Sequence, residues 1–579
     1  MRIVTARRIS QAFFLALFVW FCIVATVGAG WWQLRGWPIN WFLTLDPLTA
    51  LATLLATHTF YIPFLWALGV VILTALLGRF FCGFVCPMGT LNQLVGWISN
   101  LRMPRQRLAQ ANAHHRLQGF KYVILTFLLV LAAFGSVQTG LLDPLPLLHR
   151  SINLTFTALA DRSLLILSDA PRAYESAWLL GAILLALIGL NAVIPRFFCR
   201  FLCPLGELFS LLGRFAPWRI GKRAASKCGD CRLCEEHCEG GCRPSGEIVT
   251  GDCLMCMNCL DSCPSGRIGF STRPSAAGEM PLAHVSRRAV LGAAAAGVLT
   301  APLWTVGALA GTNRNASLIR PPGALDEERF LERCIRCGQC MRACPSNIIQ
   351  PSLLESGVQG LWTPALNFRI GRSGCQVNCV ACGNVCPTSA IRPLSLEEKH
   401  GLGAFADKGP IRIGTAFVDR TRCLPWVMDR PCIVCQELCP VSPKAIFTRT
   451  VFETLRDGRI LVAHIEGNVL DLATPPPSAG RNLGSGDYAV RGLTPDAVPR
   501  TIVLHSKERL VLENPPSGWR DPAPNDTIEL IVKLQQPHID VSRCIGCGMC
   551  EHECPVSGLR AIRVYAENES RSPNGKMTI

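Results

Sequence analysis

Charge is scarce in this chain. Asp, Glu, Lys and Arg make up 17% of its 579 residues against 49% for the apolar set, and mean hydropathy is +0.29. That share excludes an ordinary soluble protein and the length excludes a single core, so part of the chain is expected in lipid. The apparatus of a catalyst is also missing. No nucleophile paired with a base stands out, no flavin-attachment motif, and no Gly-x-Gly-x-x-Gly opening a helix after a strand, which leaves no built-in nicotinamide site. The apolar segments hold no histidine. His58, His114, His115 and His149 fall in loops or at segment ends, which argues against haem held between two histidines. Basic residues exceed acidic ones, 57 to 41, yet no nucleic-acid module is recognisable. Basic loops beside a membrane account for the excess, so no nucleic-acid partner is expected.

What is present begins with apolar runs at about 12–32, 60–77, 119–137 and 177–194, which read as four membrane helices. Arg2, Arg7 and Arg8 precede the first, and Arg102, Arg105, Arg107 and Arg116 crowd the loop after the second, placing these ends in the cytoplasm. The second and fourth runs end alike, in Arg79-Phe80-Phe81-Cys82-Gly83-Phe84-Val85-Cys86-Pro87 and Arg196-Phe197-Phe198-Cys199-Arg200-Phe201-Leu202-Cys203-Pro204. The unit is a duplicated hairpin. Each Cys-x-x-x-Cys spacing puts two sulfurs on one helix face, and a pseudo-two-fold axis would gather Cys82, Cys86, Cys199 and Cys203 into one metal or cluster site. Packed thiols or a redox disulfide are the alternative.

A fifth apolar run, 289–310, follows Ser286-Arg287-Arg288 and is uncharged. As a helix of ~30 Å it is long enough to cross a bilayer. Either it is an inserted helix, or it is a twin-arginine export signal with a small-residue cleavage pattern at Ala308-Leu309-Ala310. Both readings put the remainder of the chain outside the cytoplasm.

Cysteine is abundant, with 30 residues. Twenty-four fall into six groups of four at spacings that match iron-sulfur ligation better than disulfides or zinc. The first two groups, Cys228, Cys231, Cys234, Cys238 and Cys253, Cys256, Cys259, Cys263, form the bacterial two-cluster pattern, in which the fourth cysteine of each run ligates the other cluster. Glu239 stands where a proline normally follows, and Cys242 is an alternative to Cys238. Beyond a linker at 311–323 come Cys334, Cys337, Cys340, Cys344; then Cys375, Cys379, Cys382, Cys386; then Cys423, Cys432, Cys435, Cys439; then Cys544, Cys547, Cys550, Cys554. Short strand-like flanks at 416–419, 445–447, 538–541 and 561–564 frame the last two groups. The four outer groups therefore pair first with second and third with fourth, with nesting of first with fourth as the open alternative. The stretch between Cys439 and Cys544, with Pro475-Pro476-Pro477 and a Gly/Ser-rich run, reads as a surface loop plus a few strands.

With these motifs in place, Met1 to about Thr272 resembles a NapH-type (MauN-like) membrane ferredoxin protein, and Ser286 to Ile579 resembles a NapG-type (MauM-like) periplasmic polyferredoxin. The resemblance implies an α-helical membrane domain, four spans plus a fifth crossing segment, with bacterial-type two-cluster ferredoxin (α+β) modules on both sides. The boundaries expected are 1–221 for the membrane domain with the duplicated motif and 222–272 for a cytoplasmic two-cluster module. The twin-arginine signal or fifth transmembrane segment takes 284–312, and a periplasmic four-cluster domain takes 325–579. It also implies six 4Fe-4S clusters in a bacterial inner-membrane protein that passes electrons from membrane quinol to a periplasmic cytochrome c or reductase subunit. Service to the maturation of a periplasmic redox enzyme is the alternative. His149 is read as a solvated loop residue, with a place beside a quinol headgroup as the sharper option.

Overall fold

The computed structural model describes residues 3–25, 38–101, 104–164, 172–224, 231, 233–280, 285–309, 315–477, 481–493 and 497–571. The chain packs into two units, one of residues 1–367, 378–409 and 571–573, the other of 368–377, 410–570 and 574–579.

The first unit is built on helices α1 (Ile3–Val24), α2 (Leu65–Leu77), α3 (Phe120–Ala133), α4 (Pro144–Ser151), α5 (Ala177–Gly189) and α6 (Arg287–Leu309). Among the described residues, Ile3–Val24 and Gln106–Ala133 are long and apolar enough to cross a membrane; Ile62–Leu77 and Ala177–Ala192, expected as spans, are shorter. α2 is hemmed in by a 3-10 turn at Ile62–Phe64 containing Pro63 and by Gly78 at φ +72°. α1 begins at Ile3, well before the apolar run, so Arg7 lies inside the helix and not in a loop ahead of it. It is fully buried within the helix, its Nη2 donating to Asn258 Oδ1 at 3.1 Å. The end of the expected first span, 26–32, lies outside the described residues, as do Ala310 and its immediate successors.

Four helices carry one cysteine-rich module (231–280) at one end and a second (324–367 with 378–400) at the other. On α1, Arg7 faces Glu239 at 4.0 Å near the start, and near the end Cys22 Sγ is 4.0 Å from His149, whose Nδ1 is 3.2 Å from Gln339 Nε2. On α2 the order reverses. The Arg333 guanidinium lies over the Tyr61 ring (5.1 Å) just before it, and Arg79 donates to the Gly251 carbonyl (3.1 Å) just after. α3 opens with Lys121 paired to Asp252 at 2.6 Å and leads into Val137, whose carbonyl accepts from Arg336. α5 follows Tyr174, whose hydroxyl donates to the Met341 carbonyl at 3.2 Å, and leads to Arg196, paired with Glu239 at 2.5 Å. Helices of 13 and 14 residues set the modules on the order of 20 Å apart. α6 lies along α3 so closely that a Cβ on Gly297 would come within 2.8 Å of Val130.

His149 corrects the loop reading: it sits on α4, fully buried, its ring 4.5 Å from that of Phe18. Pro144 and Pro146 occupy the first turn of α4, where a missing N–H costs nothing, so they start a helix instead of marking a loop.

In the second unit the strands Thr415–Val418 and Ile562–Tyr565 pair antiparallel. The insertion before Cys544 is no surface loop. Strands β1 (Ile446–Glu466), β2 (Val469–Leu472), β3 (Tyr488–Gly492), β4 (Arg500–His505), β5 (Arg509–Leu512) and β6 (Thr527–Ile539) close into a barrel in the order β3-β4-β5-β2-β1-β6. Its interior is a core of its own, including Val462, Leu470, Val490, Ile502, Leu510 and Leu530. β1 leaves the ferredoxin part and β6 returns to it, Ile446 pairing with Ile539, and closure leaves no sheet edge to aggregate.

Candidate iron-sulfur sites

Two small clefts in the second unit are walled by cysteines drawn from both of its groups. One holds Cys423, Cys432 and Cys435 with Cys554; the other holds Cys544, Cys547 and Cys550 with Cys439. The fourth cysteines are exchanged. Burial and then the neighbouring sulfurs Cys435, Cys432 and Cys554 push the Cys423 thiol up to about 12, and burial foremost does the same to Cys547. The walls are otherwise apolar, with Pro425, Pro537 and Ile562 beside one and Ala416, Ile446 and Val564 beside the other. Backbone N–H groups of Ala416 and Gly546 point at Cys544. A dry pocket with four sulfurs and N–H donors fits an iron-sulfur cube, which needs sulfur ligands and little else. Among the described residues no three Cys, His, Asp or Glu side chains come together closely enough for a single metal ion.

In the first unit, Cys334, Cys337 and Cys340 lie near Cys386, whose charge opposes ionisation of all three. The second outer group is divided between the units: Cys379, Cys382 and Cys386 belong to the first and Cys375 to the second. There the Cys375 N–H donates to the Cys547 carbonyl at 2.7 Å.

In the 231–280 module Cys253, Cys256 and Cys259 gather with Cys238. Cys242 stands beside them, its Sγ 3.2 Å from that of Cys238 and its thiol hydrogen-bonded with Cys253. Cys231 is exposed, Cys234 buried and Cys263 partly buried, and Cys228 lies outside the described residues. Glu239, the residue in place of the usual proline, has its own work. It accepts from Arg196, Gln93 and Asn258 and faces Arg7, binding the module to α1 and to the end of the fourth apolar run.

Cys82, Cys86 and Cys199 all lie within electrostatic reach of Cys203. Gly206 N–H donates to Cys203 Sγ at 3.2 Å, and Asn92 Nδ2 to Cys199 Sγ at 3.4 Å. The repeat contributes a second pair that cysteine spacing does not reveal. Arg79 reaches across to Gly206, where a Cβ would sit 2.5 Å from its Nη2, and Arg196 reaches Gly89, at 3.6 Å from Nη1. Each arginine precedes one Cys-x-x-x-Cys and packs on the glycine after the other, a swap visible in the sequence only as Arg79 aligning with Arg196.

Comparison with known families agrees with this geometry. A 4Fe-4S binding domain model matches twice, at 59–106 and 176–223, one copy around each Cys-x-x-x-Cys-Pro motif. A 4Fe-4S dicluster domain matches 328–391 and a further 4Fe-4S binding domain matches 537–560. These define an iron-sulfur protein of the ferredoxin type. The methylamine utilization ferredoxin-type protein MauM of Methylorubrum extorquens is 30% identical over 232 residues, 39% of this chain and 94% of its own length. The chain belongs to this MauM-like family of iron-sulfur electron-transfer proteins. It is also similar to the putative electron transport protein YccM of Escherichia coli, 29% identical over 43% of this chain and 67% of YccM. With the regulatory protein NosR of Pseudomonas aeruginosa it shares 30% identity over 39% of this chain and 28% of NosR. No solved structure matches.

Proposed function

We propose that the chain is the quinol dehydrogenase unit of an electron-transfer system, taking electrons from membrane quinol and passing them to a cytochrome c or reductase subunit outside the cytoplasm. The observation that carries this reading is the arrangement of α1, α2, α3 and α5, each with a cysteine-rich module at either end. In this reading the four helices and α6 cross the bilayer of the bacterial inner membrane, the shorter ones meeting a locally thin hydrocarbon layer. The 231–280 module is cytoplasmic. Export of the remainder follows from Arg287 and Arg288, and exchange of both for lysine would strand the outer half inside if a twin-arginine route is used.

Six 4Fe-4S clusters are held by the 24 cysteines, with Cys82, Cys86, Cys199 and Cys203 as further ligands. When bound, the clusters supply one-electron storage. The chain's own residues bury the sulfurs, aim N–H groups at them and place cations such as Arg79 and Arg196 beside the membrane-embedded four. A menaquinol analogue added to purified protein is expected to bleach cluster absorbance within a turnover time, and absence of reduction would remove the reading.

The likeness to MauM favours a second reading, service to the maturation of a periplasmic redox enzyme of the methylamine dehydrogenase type. Neighbouring genes separate the two: amine dehydrogenase genes favour maturation, a molybdenum reductase with a cytochrome c favours electron supply.

A further inference from the structure

Between α3, α5 and α6 lies a cleft of about 560 Å³, within the range of small-molecule sites. Val123 and Phe127 of α3, Leu180 and Ile183 of α5 and Ala296 of α6 line it, and it runs along α3 from Phe120 to beyond its end. Its wall is apolar until that end, where Gln138, Arg150 and Trp362 close it. Each has a buried polar atom with nothing to bind: Gln138 Oε1, Arg150 Nε and Trp362 Nε1. Gln138 and Arg150 are only 1% and 2% exposed. The rest of each is committed. Gln138 Nε2 donates to Ser136 Oγ at 3.0 Å, Arg150 Nη1 to the Gly140 and Arg336 carbonyls at 3.3 Å, and the guanidinium lies 4.5 Å from the Trp362 ring.

Leaving a buried polar atom unpaired costs ~1–3 kcal/mol, so three at one spot mark a place for a ligand. The ligand must be apolar along the slot and must offer both a hydroxyl donor, for Gln138 Oε1, and oxygen acceptors, for the two N–H groups. A prenylated quinol satisfies all three. A phospholipid phosphate has no donor for Gln138, but an ethanolamine or glycerol head group has one, so lipid is an outcome the test must separate. Arg336, which accepts from Arg150, lies between Cys334 and Cys337, so the head group would sit against the loop of that cluster site. We infer that this cleft is the quinol-binding site, with the tail along α3 and the ring held by Gln138, Arg150 and Trp362. The inference rests on the quinol reading above.

The test is photoaffinity labelling of the full chain in nanodiscs with an azidoquinone, mapped by mass spectrometry, alongside quinone-analogue affinity for wild type, Gln138→Leu and Ile183→Trp, each checked for iron content. Labelling within 120–151, competed by unlabelled quinone, is expected, with affinity falling roughly tenfold or more in both variants. Label elsewhere, with quinol still reducing the clusters, overturns the site and spares the function. Label in the cleft without reduction of the clusters leaves the site standing and removes the function. Failure of competition, with phospholipid retained in the cleft, makes it a lipid groove and overturns the inference.

Discussion

Exchange of fourth cysteines in the second unit makes a prediction that counting alone can check. Cys554 ends the fourth group in sequence but lines the cleft of Cys423, Cys432 and Cys435. Cys554→Ala therefore removes the ligand of the third-group site, and Cys439→Ala that of the fourth. Six clusters of four irons make about 24 per chain, so either variant should lose about four. Doubles sharpen the test. Cys423→Ala with Cys554→Ala strips one cleft twice and should lose no more than about four, whereas Cys439→Ala with Cys554→Ala strips both and should lose about eight. Iron per chain measured against wild type, with electron paramagnetic resonance to count reduced centres, reads these four variants and a fifth, Cys544→Ala with Cys554→Ala, which strips both clefts and should also lose about eight. If Cys423→Ala with Cys554→Ala loses eight and Cys544→Ala with Cys554→Ala only four, the sites are built from consecutive cysteines and the geometry of both clefts is wrong.

Glu239→Ala leaves Arg196 and Arg7 buried without their carboxylate, a loss of ~3–5 kcal/mol; faster proteolysis within 231–280 is expected while the second unit stays resistant. Glu327 gives a pH dependence. Burial raises its pKa, but Arg320 and Arg571 outweigh that and hold it down to about 2, against an ordinary 4.5. Its contribution, on the order of 1–3 kcal/mol, is full above pH 4.5 and fades as pH falls toward 2. The stability gap between wild type and Glu327→Gln should hold at neutral pH and close across that window. Leu530→Ala, fully buried in the barrel, should lower the second unit's stability by ~2–5 kcal/mol in a denaturant titration, without loss of iron.

The cluster motifs were legible because their spacing is local: in four of the six groups three cysteines fall within seven residues, close enough to reach one cube whatever the rest of the fold does. The barrel was not, because closure depends on pairings such as Ile446 with Ile539, across an insertion whose prolines and glycines look locally like loop. The partner of Arg7 was hidden for the same reason. A basic residue ahead of an apolar run has the form of a membrane flank, and its partner Glu239 lies in another module. His149 was read as a loop residue because it lies outside the long apolar runs, whereas Pro144 and Pro146 open a short helix there at its first turn.

Duplication explains why the Cys82–Cys86 and Cys199–Cys203 motifs keep their flanking arginine and glycine as well as their cysteines. Each arginine is buried, and each lies beside thiols that carry negative charge once ionised. Because the contacts are exchanged, Arg79 on Gly206 and Arg196 on Gly89, neither repeat can seat its arginine alone. The same side chains continue outward, Arg79 to the Gly251 carbonyl and Arg196 to Glu239. One pair of residues thus clamps the two hairpins to each other and to the first cysteine module. The four sulfurs and that module are held in fixed register, the condition a chain of redox centres has to meet for a transfer rate that falls steeply with separation.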